Sequence, residues 1–316
     1  MTFDMTRRLV LGALPALAFA GVAGAQTPAM VPSEDPTASL DTWFDLYGRP
    51  TAKVMLNGRG PFSFMVDTGS TVTVIAQRHL ALLGAPIVGM STVAGTTGMA
   101  ETQFARIDTV EAGALKKKAL RVAVLPDDGV SNIDGILGAD AFAGKRLEFN
   151  IPGKSVKILS SRHPMRVAPR SQIRIRNGLL AEIDGKVGQV NAKLMLDTGA
   201  QNCIANIKLS QALLNAHPKL VRFNNTQVFG VTGHVMTGQF IALPKVEMRA
   251  FSVMDAGAVA LDAPIFDLWK LKHEPAMIVG MNLLSRLRSF SIDYGAKAFD
   301  AQFLADLIAR NSVAFG

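Results

Sequence analysis

Cysteine is nearly absent. Cys203 is the one cysteine among 316 residues, which excludes an intramolecular disulfide and any zinc site built on thiolates. Histidine is sparse as well. His79, His163, His217, His234 and His273 lie far apart, and none falls in a His-Glu-x-x-His pattern, so the sequence offers no histidine metal site. Two tryptophans and two tyrosines leave little material for stacking bases, which argues against nucleic acid as a partner. Positive charge exceeds negative by 8 but is spread along the chain. Its densest run, Lys116-Lys117-Lys118, reads as a solvated loop rather than a site for an anionic partner. Gly-x-Ser-x-Gly, P-loop and dinucleotide fingerprints are missing, so serine hydrolase and nucleotide chemistry lack support. With 49% hydrophobic and 18% charged residues, the composition excludes wholesale disorder and supplies one large core or two modest ones.

The first 25 residues read as an address. Arg7-Arg8 precede an apolar run from Leu9 to Val22, and Ala23-Gly24-Ala25 gives a small-x-small cleavage site. The Thr6-Arg7-Arg8-Leu9-Val10-Leu11 string resembles a twin-arginine signal. The expectation is export, to a periplasm by the twin-arginine route, with no stable membrane insertion once the signal is cleaved. Pro15 and the many small residues make a poor spanning helix, and no cysteine follows for a lipid anchor.

The remainder repeats itself with a period of 130 residues. Phe64-Met65-Val66-Asp67-Thr68-Gly69-Ser70 has its counterpart in Leu194-Met195-Leu196-Asp197-Thr198-Gly199-Ala200. Each is preceded by a strand and a turn signal, Asn57-Gly58 in the first copy and Asp184-Gly185 in the second, where a tight hairpin needs positive φ. A glycine-bounded turn follows in each: Gly95, Thr96, Thr97, Gly98, then Gly230, Val231, Thr232, Gly233. Gly135-Ile136-Leu137-Gly138 answers Met277-Ile278-Val279-Gly280, with helix-like stretches after them at Ala139 to Phe142 and Asn282 to Leu287. Strand pairs turning at Pro152-Gly153 and Tyr294-Gly295 close the copies. The second copy has about a dozen more residues between its aspartate and its second glycine motif, which we assign to Ala263 to Pro275. Short strands and frequent turns predict mainly β structure.

An aspartate that ends an apolar strand and runs into Thr-Gly places a carboxylate on a tight turn. The glycine permits close approach and frees an amide to bond the carboxylate, and the threonine hydroxyl can reach across to the other turn. Two facing turns bring Asp67 and Asp197 together. Like charges so close cannot both ionise, so the pair shares one proton. One carboxylate can then activate water while the other donates to a carbonyl.

From roughly Thr51 to Phe299 the chain resembles the aspartic proteases of the pepsin and retropepsin superfamily, above all the bacterial retropepsin-like group with two lobes in one chain. The resemblance rests on both Asp-Thr-Gly turns, Ile136-Leu137-Gly138 and Ile278-Val279-Gly280, and the two glycine-rich turns, which are similar to flap tips. It implies two similar acid-protease β lobes with the active site between them, Asp67 and Asp197 as catalytic residues, and support from Thr68, Gly69, Thr198 and Gly199. The flaps would touch substrate through Gly95, Thr96, Thr97, Gly98, Gly230, Val231, Thr232 and Gly233. No metal or cofactor is implied, the partner is a peptide or protein, and a monomer suffices. Two flap-like turns and no flap tyrosine set the chain apart from pepsin. The expected organisation is a signal at 1–25, a leader at 26–50, a first lobe at 51–160, a linker at 161–171, a second lobe at 172–305 and a tail at 306–316. The function implied is an exported aspartic endopeptidase. The alternatives are an inactive peptide-binding module of the same fold and an envelope adaptor. Cys203 reads as a buried structural thiol, Asp134 and Asp140 as turn and helix-cap residues, and His234 as either a substrate contact or an exposed loop residue.

Overall fold

The computed structural model describes residues 38–39, 42–113, 115–127, 133–161, 170–248 and 251–303. The signal, most of the leader and of the linker, and the tail lie outside the described residues. Among the described residues no helix is long and apolar enough to cross a membrane.

The chain enters through β1 (Ala38–Ser39) and β2 (Thr42–Phe44) and continues as β3 (Pro50–Leu56) and β4 (Arg59–Val66). Asn57 and Gly58 turn that hairpin with φ of 50° and 70°, the pair of positive values that a two-residue turn needs. After β5 (Val74–Ala76) and α1 (Leu80–Leu83) come three long strands, β6 (Ile87–Ala94), β7 (Met99–Ala112) and β8 (Leu115–Leu125). β9 (Gly135–Leu137) and α2 (Ala139–Phe142) complete the first half. The strands from β2 to β9 form one eight-stranded sheet. β4 runs parallel to β9, β5 runs antiparallel to β9 and parallel to β8, and β6, β7 and β8 pair antiparallel in turn.

A shared sheet follows. β10 (Lys145–Asn150) and β11 (Ser155–Ser160) form a hairpin, β12 (Arg170–Gln172) lies beyond, and β13 (Arg174–Arg176) opens the second half. That half contains β14 (Leu180–Val187), β15 (Val190–Leu196), β16 (Cys203–Ala205), α3 (Ile207–Ala216), β17 (Arg222–Phe229) and β18 (Val235–Ala242). It continues with β19 (Val246–Met248), β20 (Phe251–Val253), β21 (Gly257–Ala260), α4 (Pro264–Leu268), β22 (Ala276–Val279) and α5 (Met281–Leu284), and the described chain ends with β23 (Leu287–Asp293) and β24 (Ala298–Phe303). β15 runs parallel to β22, β16 antiparallel to β22 and parallel to β21, and β17 and β18 form an antiparallel hairpin. The expected strand pairs β10–β11 and β23–β24 do not close separate copies. β10 pairs with β23, joining both into one six-stranded sheet.

Three further expectations change. Asp184-Gly185 is not a turn: β14 runs through it, and the chain reverses at Gly188, φ 58°. Gly185 is needed for a different reason, because a side chain there would strike the Glu247 carbonyl and Leu194 where β19 crosses β14. The helix after Gly280 is short, and Leu287 already belongs to β23. The extra length of the second half is divided, part in the α4 segment as expected and part in α3, which is longer than α1. Asn206 caps α3 by accepting from the Leu209 amide at 2.9 Å.

The last three residues of the strands that lead to the two aspartates are buried on both faces, as central strands with a parallel neighbour are. Phe64 and Val66, with Leu194 and Leu196, face the main core. The intervening Met65 and Met195 point the other way, each into a smaller apolar cluster. Replacing Gly185 by valine should destabilise the fold by about 1–3 kcal/mol, the range for overpacking a filled site, measured by urea unfolding. The same change at exposed Asn191 on β15 should cost far less.

Candidate active site

Asp67 follows β4, and its amide donates to the Leu137 carbonyl of β9 at 3.1 Å. Its Oδ1 accepts from the amides of Gly69 at 2.8 Å and Ser70 at 3.0 Å. Asp197 repeats this after β15: its amide donates to Val279 at 3.1 Å, and its Oδ1 accepts from Gly199 at 2.8 Å and Ala200 at 3.0 Å. The parallel neighbours β9 and β22 thus hold both turns from the side.

The threonines cross between the turns. Thr68 Oγ1 donates to the Leu196 carbonyl at 3.0 Å and accepts from the Thr198 amide at 3.1 Å. Thr198 Oγ1 donates to Val66 at 2.7 Å and accepts from the Thr68 amide at 3.2 Å. Both threonines are fully buried. Gly69 lies against the Asp197 carboxyl and Gly199 against that of Asp67, so a side chain at either glycine would occupy the space of the opposite carboxylate.

The two carboxyls hydrogen-bond each other. Burial raises the Asp67 carboxyl above the usual range, against the pull of the Gly69 and Ser70 amides. Burial and then the charge of Asp67 lift Asp197 well above it. The proton belongs to the pair. Arg49, clamped by Asp45 with Nε to Oδ2 at 2.7 Å, draws Asp67 the other way; the sequence reading passed over this residue.

A second layer beneath the turns was also missed. Thr73 Oγ1 accepts from the Gly138 amide at 3.2 Å and donates to Asp140 Oδ1 at 2.7 Å, while the Thr73 amide donates to Asp140 Oδ2 at 3.0 Å. Asp140 is therefore not a helix cap: Gly138 stands at the α2 N-cap with no side-chain bond. In the second half Cys203 Sγ takes the place of the hydroxyl. It accepts from the Gly280 amide at 3.4 Å and donates to Asn282 Oδ1 at 3.1 Å. The signal for both pairs was in the sequence, since Asp140 and Asn282 each stand two residues after their glycine. Burial pushes the Cys203 thiol up to about 12, leaving it protonated and unreactive at neutral pH. Asp134 accepts from the Ser63 amide at 2.8 Å and pairs with Arg78 and His79.

The two glycine-rich turns, at the tips of the β6–β7 and β17–β18 hairpins, meet. Thr97 Oγ1 donates to the His234 carbonyl at 2.8 Å, and Thr232 Oγ1 to the Gly98 carbonyl at 3.3 Å. Gly95 faces Thr232, Gly230 faces Thr97, and Gly98 lies against the His234 ring. His234 is exposed but is not a free loop residue, because its Nδ1 lies 3.1 Å from Thr232 Oγ1. Val231 packs on the apolar cluster of the first half and Ala94 on that of the second. Thr96 is half-buried at its tip, and the Gly233 amide closes the second turn by donating to the Gly230 carbonyl at 3.1 Å. Among the described residues no three His, Cys, Asp or Glu side chains gather as metal ligands.

Two outcomes follow. Thr68→Val keeps the shape but leaves the Leu196 carbonyl and the Thr198 amide unpaired in a buried site, at about 1–3 kcal/mol for each group. Urea unfolding should show a loss of about 2–5 kcal/mol. The raised carboxyls also tie stability to pH. Above the ordinary value of 3.8 the folded chain holds a proton that the unfolded chain has released, so stability falls as pH rises through the raised range. Asp197→Asn cannot ionise. It should raise the thermal midpoint at pH 7, and the gain should vanish below about pH 3.8.

Comparison with known proteins finds a likeness over part of the chain. No curated protein matches it. The family model described as Aspartyl protease matches residues 52–141, from β3 to α2, the segment that carries Asp67 on its turn.

Proposed function

We propose that the chain is an exported aspartic endopeptidase whose two halves are similar lobes of the acid-protease fold. Asp67 and Asp197 are its catalytic pair. The observation that carries this reading is the meeting of two Asp-Thr-Gly turns of one chain, with their carboxyls hydrogen-bonded and their threonines exchanged. The common strand pairing of the halves supports the two-lobe reading. β4 with β9 and β15 with β22 are parallel, and β5 with β8 and β16 with β21 are parallel.

In the proposed reaction a water held between the carboxyls gives a proton to the ionised member and attacks the peptide carbonyl. The protonated member donates its proton to the carbonyl oxygen, forming a gem-diol. Collapse returns a proton to the departing nitrogen, breaks the C–N bond and regenerates one acid and one carboxylate. Burial serves this step, because it holds one carboxyl protonated where an exposed one would ionise. The joined tips of the two hairpins act as flaps over a peptide drawn through the cleft and exclude bulk water. Both aspartates come from one chain, so a monomer is competent. The twin arginines and apolar run at the N-terminus support export to the periplasm.

Purified protein should cleave members of a peptide library read by mass spectrometry. Asp67→Asn and Asp197→Asn should each lower turnover by roughly 10²–10⁴-fold, and the double variant should be little worse than either, because the pair acts as a unit. Binding of peptides without cleavage by the unaltered chain would favour the inactive binding module. Near-normal turnover by Asp197→Asn would overturn the mechanism.

A further inference from the structure

The halves differ in charge on one face of β7 and β8. Phe104 and Arg106 share one face of β7, being two residues apart. Phe104 is registered with Ala123 of β8 and Arg106 directly with Arg121. Phe104 belongs to the apolar cluster that also holds Met65, the strand neighbour of Asp67, together with Val72, Val93 and the flap-tip residue Val231. Arg121 adjoins this cluster through the Phe104 ring, and Arg106 stands beside it in register.

Their arrangement is that of a site for an anion. Like charges directly opposite across a strand pair are unfavourable, yet Arg106 and Arg121 are registered partners. Arg121 lies over the Phe104 ring, its guanidinium carbon 3.7 Å from the ring centre. A guanidinium held over an aromatic face loses little freedom on binding and keeps its planar fork of donors for a carboxylate. Arg121 has no carboxylate partner among the described residues, and Arg106 has only the exposed Asp108, at 3.4 Å. In the second half the strand register puts Phe240, Ala242 and Gly257 where the first has Phe104, Arg106 and Arg121. There the Phe240 ring covers Gly257 and no cation is present.

We infer that Arg106 and Arg121 form a carboxylate-binding subsite that selects peptides carrying an acidic group at the first-half end of the cleft. The inference rests on the peptidase reading and names its specificity. The carboxylate could be an Asp or Glu side chain or a peptide C-terminus. Both offer two oxygens to the paired donors.

The test uses three labelled peptides of one sequence: Glu-containing and amidated, Gln-containing and amidated, and Gln-containing with a free C-terminus. Affinity is read by fluorescence anisotropy on the full-length Asp67→Asn chain, and cleavage on the unaltered chain. The Glu position is scanned along the peptide. At one position the Glu peptide should bind roughly tenfold more tightly than its Gln partner, with the advantage shrinking as salt rises. Arg121→Gln should abolish the advantage and Arg106→Gln reduce it. Lys157→Gln, the same loss of charge at an exposed position of β11, should preserve it. In cleavage the change should fall on KM, with kcat for the Gln peptide unaltered. A gain seen only with the free C-terminus would assign the subsite to the peptide terminus. Equal binding of all three peptides, or an advantage that survives Arg121→Gln with an unchanged thermal midpoint, would overturn the inference while leaving the peptidase reading intact. Failure of every peptide to bind would overturn both.

Discussion

Two buried hydroxyls hold the centre of this molecule together. Thr68 and Thr198 each donate to a carbonyl and accept from an amide of the opposite turn, so the backbones that carry the two aspartates are fixed by hydrogen bonds from side chains 130 residues apart in sequence. That restraint offsets an unfavourable placement. Two carboxyl groups are buried side by side, where neither solvent nor a cation in direct contact relieves them, and the structure accommodates them by sharing a proton and by saturating each Oδ1 with two amides. The glycines follow from the same closeness, since each lies in the space a β-carbon would contest with the other carboxyl.

Around this symmetric centre the chemistry of the halves diverges. A hydroxyl and a carboxylate, Thr73 and Asp140, brace the first turn, whereas a thiol and an amide, Cys203 and Asn282, brace the second. Sulfur is a weak acceptor, and its 3.4 Å contact with the Gly280 amide is longer than the 3.2 Å contact of Thr73 with Gly138. The first half stacks an arginine on Phe104, and the second covers a glycine with Phe240. A common pairing scheme keeps the turns in register, while side chains outside it are free to make the two ends of a cleft unlike.

Among the described residues the halves are joined at the turns, through β10 and β23 in the shared sheet, and at the hairpin tips. The first two are buried and rich in backbone bonds. The third is held by two hydroxyl-to-carbonyl bonds and by the packing of Ala94 and Val231 at glycine-rich turns, and local opening draws on such sparsely bonded segments. The joint that closes over the proposed substrate path is therefore the one least costly to break.

Much of this was written in the residues. Apolar runs ending in Asp-Thr-Gly, the Ile-Leu-Gly and Ile-Val-Gly echoes and the Asn57-Gly58 turn are local signals, because burial of a central strand and positive φ act on adjacent residues whatever the rest of the chain does. Asp184-Gly185 carries the same local signal as Asn57-Gly58 yet lies inside a strand, since the crossing of β19 takes the glycine for close approach. The register of Arg106 with Arg121, the union of β10 with β23 and the seat of His234 at the opposite hairpin were likewise beyond it. Each depends on segments far apart in sequence being brought to one place. The sequence by itself determined which residues carry carboxylates on tight turns. Tertiary structure decided which of them meet, and with what neighbours, because hydrogen bonds and burial across the halves have no counterpart in the order of the chain.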